Sequence, residues 1–144
     1  MKHWTESYIG IPFKLKGRDE EGVDCWGLVY LVYMELFGVV LPLYVEQYEN
    51  IKDLGNLEKH AAINAIDSSI GWVSVIRGQE VFGDVFLMPL AGRFTHVAIC
   101  VEPGLMLHVT EDINVTVEEY YTGLWQPRYK RAQIYRHPLV YAHE

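Results

Sequence analysis

Three residues in this chain have the types and settings needed for thiol nucleophilic chemistry: Cys25, His96 and His108. Cys25 stands in Gly22-Val23-Asp24-Cys25-Trp26-Gly27-Leu28-Val29, between a glycine-bearing polar stretch and an apolar run. That setting predicts a helix whose first turn carries the thiol. There, exposed N–H groups and the positive end of the helix dipole favour a thiolate. Downstream, Thr95-His96-Val97-Ala98-Ile99 and Leu107-His108-Val109 read as two strands with one histidine each. Such a set supplies a nucleophile, its base and an orienting third residue. The thiolate would attack a carbonyl carbon while the Cys25 backbone N–H donates to the developing oxyanion. His96 would take the thiol proton and return it to the leaving amine. His108 would fix the tautomer of His96 from its far ring nitrogen. The plainer alternatives are a buried helix cysteine and a satisfied strand histidine, the usual fates of these residue types.

The elements that must hold these residues can be read from the pattern. A short helix is expected over residues 3–9, broken at Ile11-Pro12, then a polar, glycine-punctuated loop at 14–22. Asp24 is a good N-cap for a helix over residues 25–37, and Gly38 a good residue to end it. That helix is apolar almost all round, which predicts a central, buried position. A second helix is expected at 57–70, and strands at 73–76, 84–88, 95–102, 105–110 and 132–136. Helices first and strands later indicate an α+β domain with a mostly antiparallel sheet. One difficulty stands out. A two-residue turn at Pro103-Gly104 pairs Glu102 with Leu105, which sets His108 opposite Ile99 and on the other face from His96. Bringing the rings together requires an offset turn or a bulge.

Residues 13–29, Gly83-Asp84-Val85-Phe86, His96 and Leu107-His108 resemble the NlpC/P60 family of papain-like cysteine peptidases. The family pattern runs Asp-Cys-(Ser or Trp)-Gly-Leu, Gly-Asp-apolar-apolar, His-Val-(Gly or Ala)-Ile and apolar-His. The order and spacing match over residues 4–137. Asp24-Cys25-Trp26-Gly27-Leu28-Val29 followed by Leu41-Pro42 is similar to the branch found in phage tail proteins and prophages. The resemblance implies a papain-like fold, with the cysteine helix packed on a small antiparallel sheet. It implies hydrolysis of the γ-D-glutamyl bond to a diamino acid in peptidoglycan stem peptides, with Cys25, His96 and His108 catalytic and no metal or organic cofactor. It also implies association with phage tail proteins and action on the cell wall. Asp24, Trp26 and Phe13 are the candidate substrate-binding residues. Asp24 is favoured as a cap, with recognition of a substrate amine as its second role. Trp26 stands where the family commonly has Ser, and lines the cleft or packs in the core. Phe13 stands where the family usually has an active-site Tyr, so the hydroxyl is lost and the aromatic wall kept; Tyr8 is a candidate substitute.

Bulk properties set the remaining bounds. The chain of 144 residues, half of them hydrophobic and 22% charged, suits a single domain over 1–144. Within it, residues 43–78 read as an insertion relative to the compact family core, placed to shape the cleft rim. A formal charge of −7 argues against nucleic-acid partners and against simple adhesion to anionic wall polymers. The N-terminus shows no secretory signal, so synthesis in the cytoplasm and carriage by a phage tail or virion are expected. The apolar run at 26–45 is interrupted by Glu35, Gly38 and Pro42, which points to a core helix rather than a membrane span. Gly83-Asp84 is expected to turn into a core strand. Cys100 reads as a small buried hydrophobe; His3, His60, His137 and His143 read as solvated or terminal. A zinc site from Cys25, Cys100, His96 and His108 lacks any close-spaced ligand pair. Two rivals to the peptidase remain: amidase or acyl-transfer chemistry on the same fold, and a structural tail-assembly component with an unused site.

Overall fold

The computed structural model describes residues 3–43, 71–90 and 93–141. The helix expected at 57–70 and most of the 43–78 insertion lie outside the described residues. The chain opens with a 3-10 turn at Trp4–Ser7, capped by the His3 ring, in place of the longer helix expected over 3–9. The polar loop contains a minimal antiparallel pair, β1 (Arg18–Asp19) and β2 (Gly22–Val23). Helix α1 follows at Cys25–Val32 and continues as a wider π-helical turn, Tyr33–Phe37, ending at left-handed Gly38 with φ +66°. Nearly every α1 side chain is buried, as its all-round apolar character requires.

Among the described residues, helix α1 packs against one face of a six-stranded antiparallel sheet. The strands are β3 (Val73–Ser74), β4 (Val85–Leu90), β5 (Arg93–Glu102), β6 (Leu105–Thr110), β7 (Ile113–Glu119) and β8 (Gln133–Arg136), in the spatial order β3-β8-β4-β5-β6-β7. Val85, Leu87, Val97, Ile99, Leu107 and Val109 face the helix. Their alternating neighbours Phe86, Met88, Ala98, Cys100 and Met106 face a second layer made by Tyr120, Trp125, Tyr129 and Ala132. That layer includes the short helix α2 (Gln126–Tyr129); a last short helix, α3 (Pro138–Tyr141), follows β8. Covering both faces explains why β4 and β5 are continuous apolar runs rather than alternating ones. The architecture is α+β with an antiparallel sheet, as the order of elements implied. Among the described residues, no helix is long and apolar enough to cross a membrane.

Two tight junctions fix α1 on this sheet. Gly83 has φ +90°, and its carbonyl accepts the Tyr33 hydroxyl at 2.5 Å. The next residue, Asp84, is buried and takes a two-pronged bond from Arg136 of β8, at 2.9 and 2.8 Å. Gly83-Asp84 thus ties helix, turn and strand together. His137 is not solvated, contrary to the expectation from sequence. It is 4% exposed, edge-on to Trp72 and Tyr33, because β8 ends against the last turn of the helix. The second junction lies at the helix start, where the 14–24 loop folds back over α1. A Cβ on Gly27 would stand 1.9 Å from the Gly17 carbonyl oxygen, so backbone passes where any side chain would go. Gly27→Ala therefore forces the loop off the helix. We expect a loss of about 3 kcal/mol, the upper end for overpacking, read as a thermal midpoint lowered by roughly 6–12 °C in a domain of this size. An unchanged midpoint would refute the close approach.

Candidate active site

The β5–β6 hairpin resolves the register difficulty. Glu102 pairs with Leu105, as the two-residue turn requires, but the next pairs are Cys100 with Met106 and Ile99 with Leu107. Val101 is an extra residue in β5, a bulge that shifts the ladder by one. His108 thereby moves to the same face as Ala98 and His96. The two rings meet: His96 Nε2 and His108 Nδ1 are 2.8 Å apart. The other nitrogen of His108, Nε2, lies 2.5 Å from Glu118 Oε2 on β7. Glu118 pairs with Met106 and so sits diagonally from His108 on the same face.

Trp125 closes this row from the second layer. Its ring stacks on His96 at 5.1 Å and 27°, and meets His108 edge-on at 4.8 Å. Its indole N–H donates to the same Glu118 oxygen at 3.1 Å. The Arg128 guanidinium lies 4.9 Å from the Trp125 ring centre. His96 and His108 are 2% and 1% exposed. Burial pushes the pKa of His96 well below the ordinary histidine value, and the unfavourable meeting of a protonated His96 with a protonated His108 and with the Arg128 guanidinium lowers it further. Burial also lowers the pKa of His108, outweighing the upward pull of Glu118. Both rings are therefore neutral at neutral pH. A neutral His96 whose Nε2 is engaged by His108 has Nδ1 as its other nitrogen, and that atom is the one available for proton transfer.

Cys25 is the first residue of α1, which packs on β5 and β6. It is buried with Val97, Ile99, Leu107 and Val109 on the helix face of the sheet; the histidines alternate with these residues, so the structure joins His96 to His108, and the approach of the His96 ring to the Cys25 thiol is part of the proposal below. Both cysteines are free thiols. Cys100 lies on the opposite face, fully buried, and burial pushes its thiol up to about 12. Asp24 is the N-cap: Oδ1 accepts the Gly27 N–H at 2.8 Å and Arg18 Nη1 at 2.8 Å, and Oδ2 accepts the Lys16 N–H at 2.8 Å. With 0% exposure, its carboxylate is turned into the loop-helix junction. Trp26 is buried with its indole N–H on the Pro42 carbonyl at 2.8 Å. Phe13 is half-buried and bridges to Val23 beside the junction. The Tyr8 hydroxyl donates to Glu35 at 2.8 Å, in the last turn of the helix, at the opposite end from Cys25.

Sequence reasoning missed Glu118, Trp125 and strand β7. The signal for β7 was the alternation of Ile113, Val115 and Val117. On that pattern Thr116 and Glu118 share the other face, which adjoins His108 once the bulge is known.

The comparisons with known proteins point one way. The model of the NlpC/P60 family matches residues 10–134. The murein DD-endopeptidase MepS/murein LD-carboxypeptidase of Escherichia coli (strain K12) is 25% identical over 124 residues, covering 86% of this chain and 55% of that protein. The same protein of Escherichia coli O157:H7 matches equally. This chain spans about half the length of these curated relatives. Among solved structures, the NlpC/P60 domain of the peptidoglycan hydrolase SagA is 21% identical, with a TM-score of 0.56 over 91% of this chain and 90% of that one. An NlpC/P60 family protein from Bacillus cereus is 20% identical, with a TM-score of 0.63 over 92% of this chain and 37% of that one. At this identity the structures establish a shared fold. The family model, which runs through the cysteine helix and both histidine strands, establishes more: the chain belongs to the NlpC/P60 family.

Proposed function

We propose that this domain is a cysteine peptidase that hydrolyses peptidoglycan stem peptides at the γ-D-glutamyl bond to a diamino acid. The observation that carries the reading is the His96–His108 hydrogen bond on the two strands beneath the helix that begins with Cys25. Cys25 is the nucleophile, His96 the base and His108 the orienting residue. His96 Nδ1 takes the proton from the Cys25 thiol as Sγ attacks the scissile carbonyl carbon. The positive end of α1 favours both the thiolate and the oxyanion that follows. Collapse breaks the C–N bond, the amine leaves with the proton from His96, and a thioester remains. Water then attacks the thioester, giving one proton to His96, and the thiol departs and recovers it. The signature around Cys25, with Leu41-Pro42, supports placing the domain with phage tails or prophages, where a tail would deliver it to the wall.

The name of the Escherichia coli relative supports a second choice of bond, a DD-endopeptide or LD-carboxypeptide link. Digestion of purified peptidoglycan and of synthetic stem peptides by the wild type and by Cys25→Ala separates these. New amino termini after D-glutamate, absent with the variant, are expected. Termini at DD or LD links transfer the reading to the relative's specificity, and released ammonia or acyl-transfer products to the amidase or transferase alternative.

The two thiols give an independent check. Cys100 is sealed and its thiol strongly disfavours ionisation. Iodoacetamide at pH 7.5 is expected to label Cys25 and to spare Cys100 in the folded protein. A Cys25 that stays unlabelled, in a protein that cuts nothing, would favour the structural tail component.

The depressed His96 pKa sets the pH profile. The base is lost only when His96 is protonated, and its pKa lies below the ordinary value of about 6.5. The acid limb of kcat/KM is therefore expected below pH 6.5. A limb at or above that value would mean that His96 is not a buried, neutral base.

A further inference from the structure

We infer that Glu118 is a positioning residue that sets the tautomers of both histidines through the end of the row, an inference that rests on the peptidase reading for its kinetic consequence. An ionised carboxylate can only accept hydrogen bonds. Glu118 Oε2 faces His108 Nε2 and Trp125 Nε1. The indole nitrogen is a donor only, so the oxygen is an acceptor toward it in any protonation state. With the carboxylate ionised, His108 Nε2 carries the hydrogen. A neutral His108 with its hydrogen on Nε2 presents a bare lone pair at Nδ1. That lone pair requires a donor from His96 Nε2, 2.8 Å away. A neutral His96 with its hydrogen on Nε2 is left with a bare Nδ1, the form able to receive a thiol proton.

Without the carboxylate, His108 has no fixed orientation of its donors. An imidazole can turn its hydrogen either way, and the opposite choice puts the hydrogen of His96 on Nδ1, where it blocks proton transfer. Glu118 is half-buried, with its side chain 33% exposed, so it stands between the sealed rings and solvent. Trp125 holds it there with the indole N–H and covers both rings, which keeps water from offering His108 a competing partner. The fourth member of the row thus acts at two removes from the thiol and touches no substrate.

The test reads the rings directly. In protein labelled with nitrogen-15 on histidine, two-bond proton–nitrogen spectra at pH 7.5 report the tautomer of each ring. In the wild type, His96 and His108 are both expected with hydrogen on Nε2. Glu118→Ala should leave a mixture at both rings and lower kcat about 10- to 100-fold, the usual cost of losing such an outer partner, with KM unchanged. Glu118→Gln keeps an acceptor oxygen for His108 and Trp125, and should restore the wild-type tautomers and most of kcat. A wild type with hydrogen on Nδ1 of either ring, an Ala variant that keeps the wild-type spectrum, or a Gln variant that fails to restore it would each overturn the inference. A wild type that cuts no stem peptide defeats the peptidase reading instead, and the ring spectra still decide the role of Glu118.

Discussion

Side chains on a strand alternate between faces, so one extra residue in a hairpin decides which of two environments every later side chain enters. Val101 is that residue here. With a regular ladder, His108 would face α1 and its imidazole would enter the apolar layer of Val97 and Ile99. With the bulge, it faces His96 on one side and Glu118 on the other. Burial makes the choice costly to reverse, since an unpaired buried polar group forfeits about 1–3 kcal/mol. The same shift turns Leu107 and Val109 toward the helix. The packing of α1 and the joining of the rings are thus two outcomes of a single register.

The second layer serves the same end. Glu80 is buried under the sheet and accepts hydroxyls from Tyr120 at 2.6 Å and Tyr129 at 2.8 Å, with a backbone N–H from Gly78. Burial alone would raise its pKa, but these hydrogen bonds outweigh it and hold the group below its ordinary value. Tyr120 and Tyr129 bracket the segment that carries Trp125. Fastening both ends of that segment to one buried carboxylate fixes the indole over the rings. A buried charge with this many donors trades desolvation for a fixed geometry, and here the geometry concerns the lid of the histidine row.

Much of this was legible in the residues. The cysteine helix follows from its apolar composition and from Asp24 as its cap. The five strands read from sequence lie close to their observed bounds, because each is a run of apolar residues ended by a turn former. The histidine strands were placed correctly, while their relation stayed open between a regular ladder and a bulge, since a bulge costs one residue of register and leaves no mark in composition. The role of Gly27 was hidden for a related reason, since it answers to the Gly17 carbonyl ten positions earlier. Glu118 looked like one acid among nineteen. What distinguishes it is a diagonal relation across β6 and β7 that exists only after the register is known.

The electrostatics of the row explain why it ends where it does. A ring as buried as His96 resists taking a proton, and the Arg128 guanidinium adds to that resistance. On the proposed reading of His96 as the base, that resistance keeps the ring neutral at rest, and an imidazolium forms only briefly during proton transfer. Its charge needs a counterweight that does not itself collapse the resting state by protonating the ring. Glu118 against His96 directly would pull that ring toward the protonated form. With His108 between them, the carboxylate is one ring further away, its pull on His96 is weakened by distance, and its hydrogen-bonding direction is passed on undiminished. The half-exposed position of Glu118 lowers the desolvation it must bear. On the proposed reading, a buried neutral base, a relay ring and an anion near the surface together give orientation without permanent charge at the reacting nitrogen.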